Sequence, residues 1–144
     1  MSNEQEQRIK DILISSNTVA SVGLSSNPQK ESYGVVSYLH GQGYKIIPVN
    51  PTAGEIMGEK AYPNLSDIPG KVDVVQIFRK SEDVPPVVDE AINIGAKVVW
   101  MQEGIVNHEA AKKAEEAGLQ VVMDTCMRAA HRYLNIGPKP GSGV

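Results

Sequence analysis

The sequence predicts an α/β protein, a three-layer Rossmann-like open parallel sheet of about five strands with helices on both faces. Short apolar runs rich in β-branched residues alternate with segments of helical period along most of the chain. Glycine and proline punctuate the joins between them. Right-handed crossovers between successive parallel strands then place the helices on the two faces of one sheet.

The elements follow in order. Over residues 4–15, Ile9, Ile12 and Leu13 recur at helical spacing and predict an amphipathic helix against the sheet. The run Thr18-Val19-Ala20-Ser21-Val22-Gly23 predicts a short strand ending at glycine. Residues 32–40 predict a helix with Val35, Val36 and Leu39 on one face, stopped by Gly41 and Gly43. Lys45-Ile46-Ile47-Pro48-Val49-Asn50-Pro51 predicts a second strand, kept short because Pro48 cannot donate to a ladder and Pro51 marks the exit. A loop with Gly54, Gly58, Pro63 and Pro69 follows, then a third strand at Val72-Asp73-Val74-Val75-Gln76-Ile77-Phe78. Val84, Val87, Val88, Ala91 and Ile92 form the best-patterned helix, closed by Gly95. Lys97-Val98-Val99-Trp100-Met101 predicts a fourth strand, residues 107–117 an alanine-rich helix ended by Gly118, and Leu119-Gln120-Val121-Val122-Met123 a fifth strand. A last helix spans residues 127–134. Periodicity does not choose between the Rossmann strand order and the flavodoxin-like one.

The chain has 144 residues, 41% hydrophobic and 22% charged, values of an ordinary folded domain. Residues 1–136 are therefore expected to form one domain, and residues 137–144, GPKPGSGV, a flexible tail. With 14 Lys and Arg against 17 Asp and Glu, no basic field is available for a nucleic-acid backbone. The single cysteine, Cys126, excludes an internal disulfide and a multi-cysteine zinc site and fits a reducing compartment. No apolar run approaches the roughly 20 residues that span a bilayer, and the polar start MSNEQEQRIK lacks a signal-peptide core. A cytoplasmic location is expected.

In such a sheet, ligands bind outside the carboxyl ends of the strands. The residues that follow each strand are therefore the candidates. The loop Gly23-Leu24-Ser25-Ser26-Asn27-Pro28 enters a helix, where backbone N–H groups receive phosphate or diphosphate. Ser25, Ser26 and Asn27 add polar donors, while Lys30 and Arg79 supply cations. The loop is not G-x-G-x-x-G, and Asn50 stands where a nicotinamide dinucleotide enzyme places its ribose-binding acid. An adenine-containing ligand held in another way is favoured over ordinary NAD use. His40 and His108 read as surface residues. Cys126 and His131, five apart on one helix, do not face each other as a nucleophile pair.

Taken together, Val22-Gly23-Leu24-Ser25 with Pro28, Gly43-Tyr44 running into Pro48-Val49-Asn50-Pro51, Val72-Asp73 leading to Phe78-Arg79, Val99-Trp100-Met101-Gln102 with Gly104, and Asp124-x-Cys126-Met127 with His131 resemble the CoA-binding domain family. The family is similar to the N-terminal CoA-binding domain of the succinyl-CoA synthetase alpha subunit, and the likeness runs from about Arg8 to about Leu134. The resemblance implies a coenzyme A cofactor, with its ADP part over the first loop and the second strand end. It brings Gly23, Ser25, Lys30, Tyr33, Asn50, Pro51, Phe78 and Arg79 forward as contacts, and Ser26, Asn27, Pro28, Val49, Trp100, Gln102 and Cys126 complete the candidate set. Where the family carries Arg and Glu this chain has Thr125 and Ala130, which argues against a charged catalytic cluster. The expected function is a CoA or acyl-CoA carrier or sensor module, without evident catalysis of its own, serving an unidentified protein partner. The alternative is an NAD(P)- or other adenine-nucleotide-binding enzyme or redox regulator. A narrower expectation is a mixed disulfide between Cys126 and the CoA thiol.

Overall fold

The five apolar runs become five strands of one parallel sheet in the computed structural model, which describes residues 2–141. In chain order the elements are α1 (Asn3–Ser15), β1 (Thr18–Val22), α2 (Glu31–Gly41), β2 (Lys45–Val49), β3 (Glu55–Ile56), β4 (Glu59–Lys60), β5 (Val74–Ile77), α3 (Val84–Asn93), β6 (Val98–Met101), α4 (His108–Glu116), β7 (Gln120–Val122) and α5 (Met127–Tyr133). The sheet order is β2-β1-β5-β6-β7. Counting sheet strands alone this is 2-1-3-4-5, the flavodoxin-like arrangement of a doubly wound sheet. The order reverses between β1 and β5, and the crevice at their carboxyl ends is the switch point.

Alternation along each strand divides the core. Val19, Ile46, Val74, Val98 and Trp100 pack with the apolar faces of α1, α2 and α5. Ala20, Ile47, Val75, Val99 and Met101 pack with α3 and α4 on the opposite face. Strands β5 and β6 are buried along their whole length, as expected of central parallel strands covered on both sides. Pro48 is tolerated because β2 is the outermost strand. Its carbonyl accepts from the Tyr62 N–H at 3.0 Å, which covers that edge. At the amino ends of the strands, Asp73 Oδ2 accepts from the N–H groups of Asn17 and Thr18 at 2.8 and 3.0 Å, tying the start of β1 to β5.

Two features were not legible as elements. The expected loop after β2 contains the β3–β4 hairpin, whose central residues Met57 and Gly58 both have positive φ, 56° and 76°. That is the conformation of a type I′ turn, here without the usual Asn-Gly signal. The hairpin buries Ile56 and brings Ala61 into the α1–α2 side of the core. The expected tail at 137–144 begins within the described residues, while 142–144 lie outside them. Lys139 Nζ donates to the carbonyls of Leu13 and Ile14 at 2.9 and 2.8 Å and so caps the end of α1. Its main-chain N–H donates to Gln42 O at 2.8 Å.

These tail contacts close over His131, which is 1% exposed. Gly137 O lies 3.1 Å from Nε2 and can only accept, so Nε2 carries the proton, and Nδ1 accepts from the Tyr38 hydroxyl at 2.8 Å. Burial pushes the imidazole below the usual histidine value, outweighing the Gly137 carbonyl that favours the charged ring, and the Lys139 charge pushes the same way. The folded protein holds this ring neutral while the unfolded chain protonates near pH 6.5, at roughly the ordinary value. Stability contributed by His131 is therefore present above about pH 6.5 and lost as pH falls through the lower folded value. Chemical denaturation at descending pH is expected to show this loss in the wild type, and a shallower decline over the same range in His131→Gln.

Candidate functional site

The carboxyl edge at the switch point is shaped first by Gly23. Its N–H donates to Val49 O at 3.1 Å, and its φ of +87° turns the chain sharply out of β1. A Cβ at this position would lie 3.4 Å from Phe78 Cβ and 3.6 Å from Arg79 Cδ. The left-handed φ is what favours glycine here, since a Cβ would meet these neighbours at ordinary van der Waals distance. Leu24 then drops into the core, and the chain runs over exposed Ser26, Asn27 and Pro28 to Lys30. Side chains stitch this loop together. Ser25 Oγ accepts from Asn27 N–H at 3.0 Å, Asn27 Oδ1 from Gln29 N–H at 2.9 Å, and Ser32 Oγ from Ser25 N–H at 3.1 Å. Ser25 and Asn27 therefore shape the loop as well as lining it.

Asn50 anchors the same loop from the end of β2. Its Nδ2 donates to Leu24 O at 3.0 Å. Its Oδ1 accepts from the N–H groups of Thr52 and Ala53 and from Thr52 Oγ1, at 2.9, 3.0 and 3.1 Å. The side chain is a bracket between two loops, with its oxygen committed internally. Pro51 is exposed beside it, Tyr33 is half-buried against the α1–α2 core, and Arg79 and Lys30 are exposed with no ion pair among the described residues.

Phe78, Gln102 and Cys126 are brought together from three separate chain segments. They line a cavity of about 170 Å³ whose other walls include Glu31, Ser32 and Glu103. Beside it lies a larger crevice of about 600 Å³ that shares Glu31, Glu103 and Cys126 and extends past Asp124 to Arg128 and Arg132. Sequence reasoning passed over Glu31 and Arg128, and it held Glu103 in the strand-end stretch Gln102-Glu103-Gly104 without carrying it into the final set of contacts. Glu103 directly follows a strand end and Glu31 opens a helix, so the strand-end rule contained a signal for the former.

Two candidate residues are corrected by burial. Trp100 is fully buried, with its indole N–H donating to Thr125 O at 2.7 Å, so it packs under the loop before α5 and has no surface to offer a ligand. Val49 is 5% exposed and turned into the core; what it presents at the edge is the carbonyl that receives Gly23. The segment from Asp124 to His131 is likewise built into the frame. Asp124 has a φ of +52° and its Oδ1 accepts from Gly104 N–H at 2.7 Å, while His131 is occupied by Tyr38 and Gly137. Among the described residues no group of three or more potential ligands is arranged to hold a metal ion, and no helix is long and apolar enough to cross a membrane.

The comparisons with known proteins are consistent with one another. A family model described as CoA binding domain matches residues 17–132. The protein YneT of Bacillus subtilis is 44% identical over 131 residues, covering 91% of this chain and 97% of YneT. The structure of a hypothetical protein from Pyrococcus horikoshii superposes with a TM-score of 0.87 at 42% identity, covering 90% of this chain and 92% of that one. The acetate-CoA ligase (ADP-forming) II of Archaeoglobus fulgidus is 35% identical over 100 residues, which are 68% of this chain but 15% of the ligase.

The bracket at Asn50 has a measurable consequence. Asn50→Ala removes the acceptor of two backbone N–H groups at a half-buried position and is expected to cost about 1–2 kcal/mol in thermal or chemical denaturation. Hydrogen exchange in residues 23–30 is expected to quicken, because their tie to β2 is lost.

Proposed function

Because the chain belongs to the CoA binding domain family, we propose that it binds coenzyme A or an acyl-CoA as a carrier or sensor module, with no catalysis of its own, and presents it to a protein partner. The observation that carries this reading is the crevice at the switch-point edge. There the tight Gly23 turn, backed by Phe78 and Arg79, adjoins a strand end leading to the cavity of Phe78, Gln102 and Cys126. A diphosphate needs close backbone approach and nearby cations, which Gly23, Arg79 and Lys30 supply. A pantetheine arm needs a slot with apolar walls and a few polar groups, which the adjoining cavities supply.

Where a nicotinamide dinucleotide site places its ribose-binding acid, the end of β2 offers Asn50, an amide whose oxygen is held by the N–H groups of Thr52 and Ala53. This favours coenzyme A over NAD. The similar ligase carries its acetate-activating activity in a much longer chain, of which this one matches only a small part. The proposal is accordingly limited to holding the coenzyme. A cytoplasmic setting belongs to the same reading, supported by the single cysteine.

Denaturing freshly purified protein and identifying the released small molecule by mass spectrometry tests the reading directly. Coenzyme A or an acyl-CoA is the expected product, and a nicotinamide nucleotide in its place would overturn it. If nothing is released, calorimetric titration of the folded protein with CoA decides, and absence of binding near millimolar concentration counts against the proposal. Arg79→Ala is expected to weaken CoA binding about tenfold, in keeping with loss of one charge-assisted contact to diphosphate.

A further inference from the structure

The cavity of about 170 Å³ is floored by one end of a buried polar row that crosses the sheet. Ser21 and Gln76 are register partners on β1 and β5, Gln102 directly follows β6, and each is at most 5% exposed. The backbone N–H of Met127 lies 3.0 Å from the Gln102 side chain and can only donate, so the atom that it meets is Oε1. The same oxygen receives Gln76 Nε2 at 3.0 Å. That leaves Gln76 Oε1 facing the Ser21 hydroxyl at 2.8 Å, which must donate. One backbone N–H thus orients the whole row.

Gln102 Nε2, with two N–H donors, has no acceptor among the described residues. No buried side-chain polar atom among them is left unpaired, so this nitrogen keeps some exposure, and the cavity is the opening that Gln102 lines. A buried amide locked in one orientation, with its donors turned to a cavity, is suited to recognise an oxygen acceptor. The other walls decide which kind. Val35, Phe78 and Ile105 are apolar, and the charged wall residues are the carboxylates Glu31 and Glu103, with no cation. A ligand end bearing its own carboxylate is repelled there. The volume is below the roughly 300–1,000 Å³ that houses a whole ligand, so it suits a ligand's end.

We propose that this cavity receives the thioester end of a CoA ester with a short, uncharged acyl group, and that Gln102 Nε2–H donates to the thioester carbonyl oxygen. The inference rests on the coenzyme A reading above and adds to it the class of ester and the residue that distinguishes it. Parallel strands stand about 4.8 Å apart, so the end of β6 is two strand spacings from the Gly23 turn, a span that an extended pantetheine arm crosses.

Calorimetric titration with CoA, acetyl-CoA and succinyl-CoA tests this on the wild type and two variants. Gln102→Glu keeps an oxygen for Gln76 and Met127 while replacing the donor that faces the cavity. Ile105→Phe fills the cavity from its apolar wall. The wild type is expected to bind acetyl-CoA at least about tenfold more tightly than succinyl-CoA, and each variant to lose about tenfold more affinity for acetyl-CoA than for CoA. Equal binding of the two esters by the wild type overturns the proposal, as does a loss that falls equally on CoA and acetyl-CoA in the variants. Should Gln102→Glu fail to fold by circular dichroism, the wild-type ratio and Ile105→Phe decide. Failure of all three ligands to bind the folded wild type would overturn the coenzyme A reading itself, a result distinct from loss of ester selectivity.

Discussion

A parallel sheet covered on both faces leaves its chain no short way back, and most of this structure follows from that constraint. Each strand must be followed by a crossover before the next begins, so the loops leaving β1, β2, β5, β6 and β7 all emerge along one edge. The reversal of order between β1 and β5 parts the crossovers to either face of the sheet and opens a crevice between their loops. Phe78, Gln102 and Cys126 share a cavity because they are the first residues past three of these strand ends or close to them.

An edge made of loops needs internal fastening, and here side chains provide it. Asn50 joins the β2 exit to the loop after β1, Asp124 joins the β7 exit to the loop after β6, and the Trp100 indole holds the turn before α5 from beneath. The amide row of Ser21, Gln76 and Gln102 does the same inside the sheet, linking three strands to the first residue of α5. Polar groups in a core are tolerated when every one is paired, and none of the buried side-chain polar atoms among the described residues lacks a partner. The fastening also changes how the polar residues at this edge are read. Asn50 and Asp124 look like ligand contacts in a strand-end list, yet their hydrogen bonds are already directed within the protein.

The helices and sheet strands were legible because their signals are local and periodic. Ile9, Ile12 and Leu13 mark α1, the valines from Val84 to Val88 mark α3, and the β-branched runs mark β1, β5 and β6, each close to its observed bounds. The β3–β4 hairpin was not legible, since two-residue strands show no period and Met57 gives no sign of adopting a left-handed conformation. The docking of Lys139 was equally hidden. It depends on main-chain carbonyls of Leu13 and Ile14, which carry no sequence signature at all.

For the candidate site, the strand-end rule and the resemblance in the loop motifs placed Gly23, Phe78, Arg79, Gln102 and Cys126 at one edge, because the period of a βα unit puts the residues after each strand on the same side. Trp100 lay in the same stretch of sequence but faces the core, a matter of side-chain direction that a loop boundary uncertain by a residue or two does not settle. The sequence by itself determined the fold class, the family and the edge at which the candidate residues gather, since these rest on periodicity and local motifs. Tertiary structure alone decided the strand order, the pairing of Glu31 and Glu103 across one cavity, and the direction in which the Gln102 amide points. Those depend on contacts between residues distant in the chain, and the last is set by a single backbone N–H that reaches Gln102 from 25 residues away.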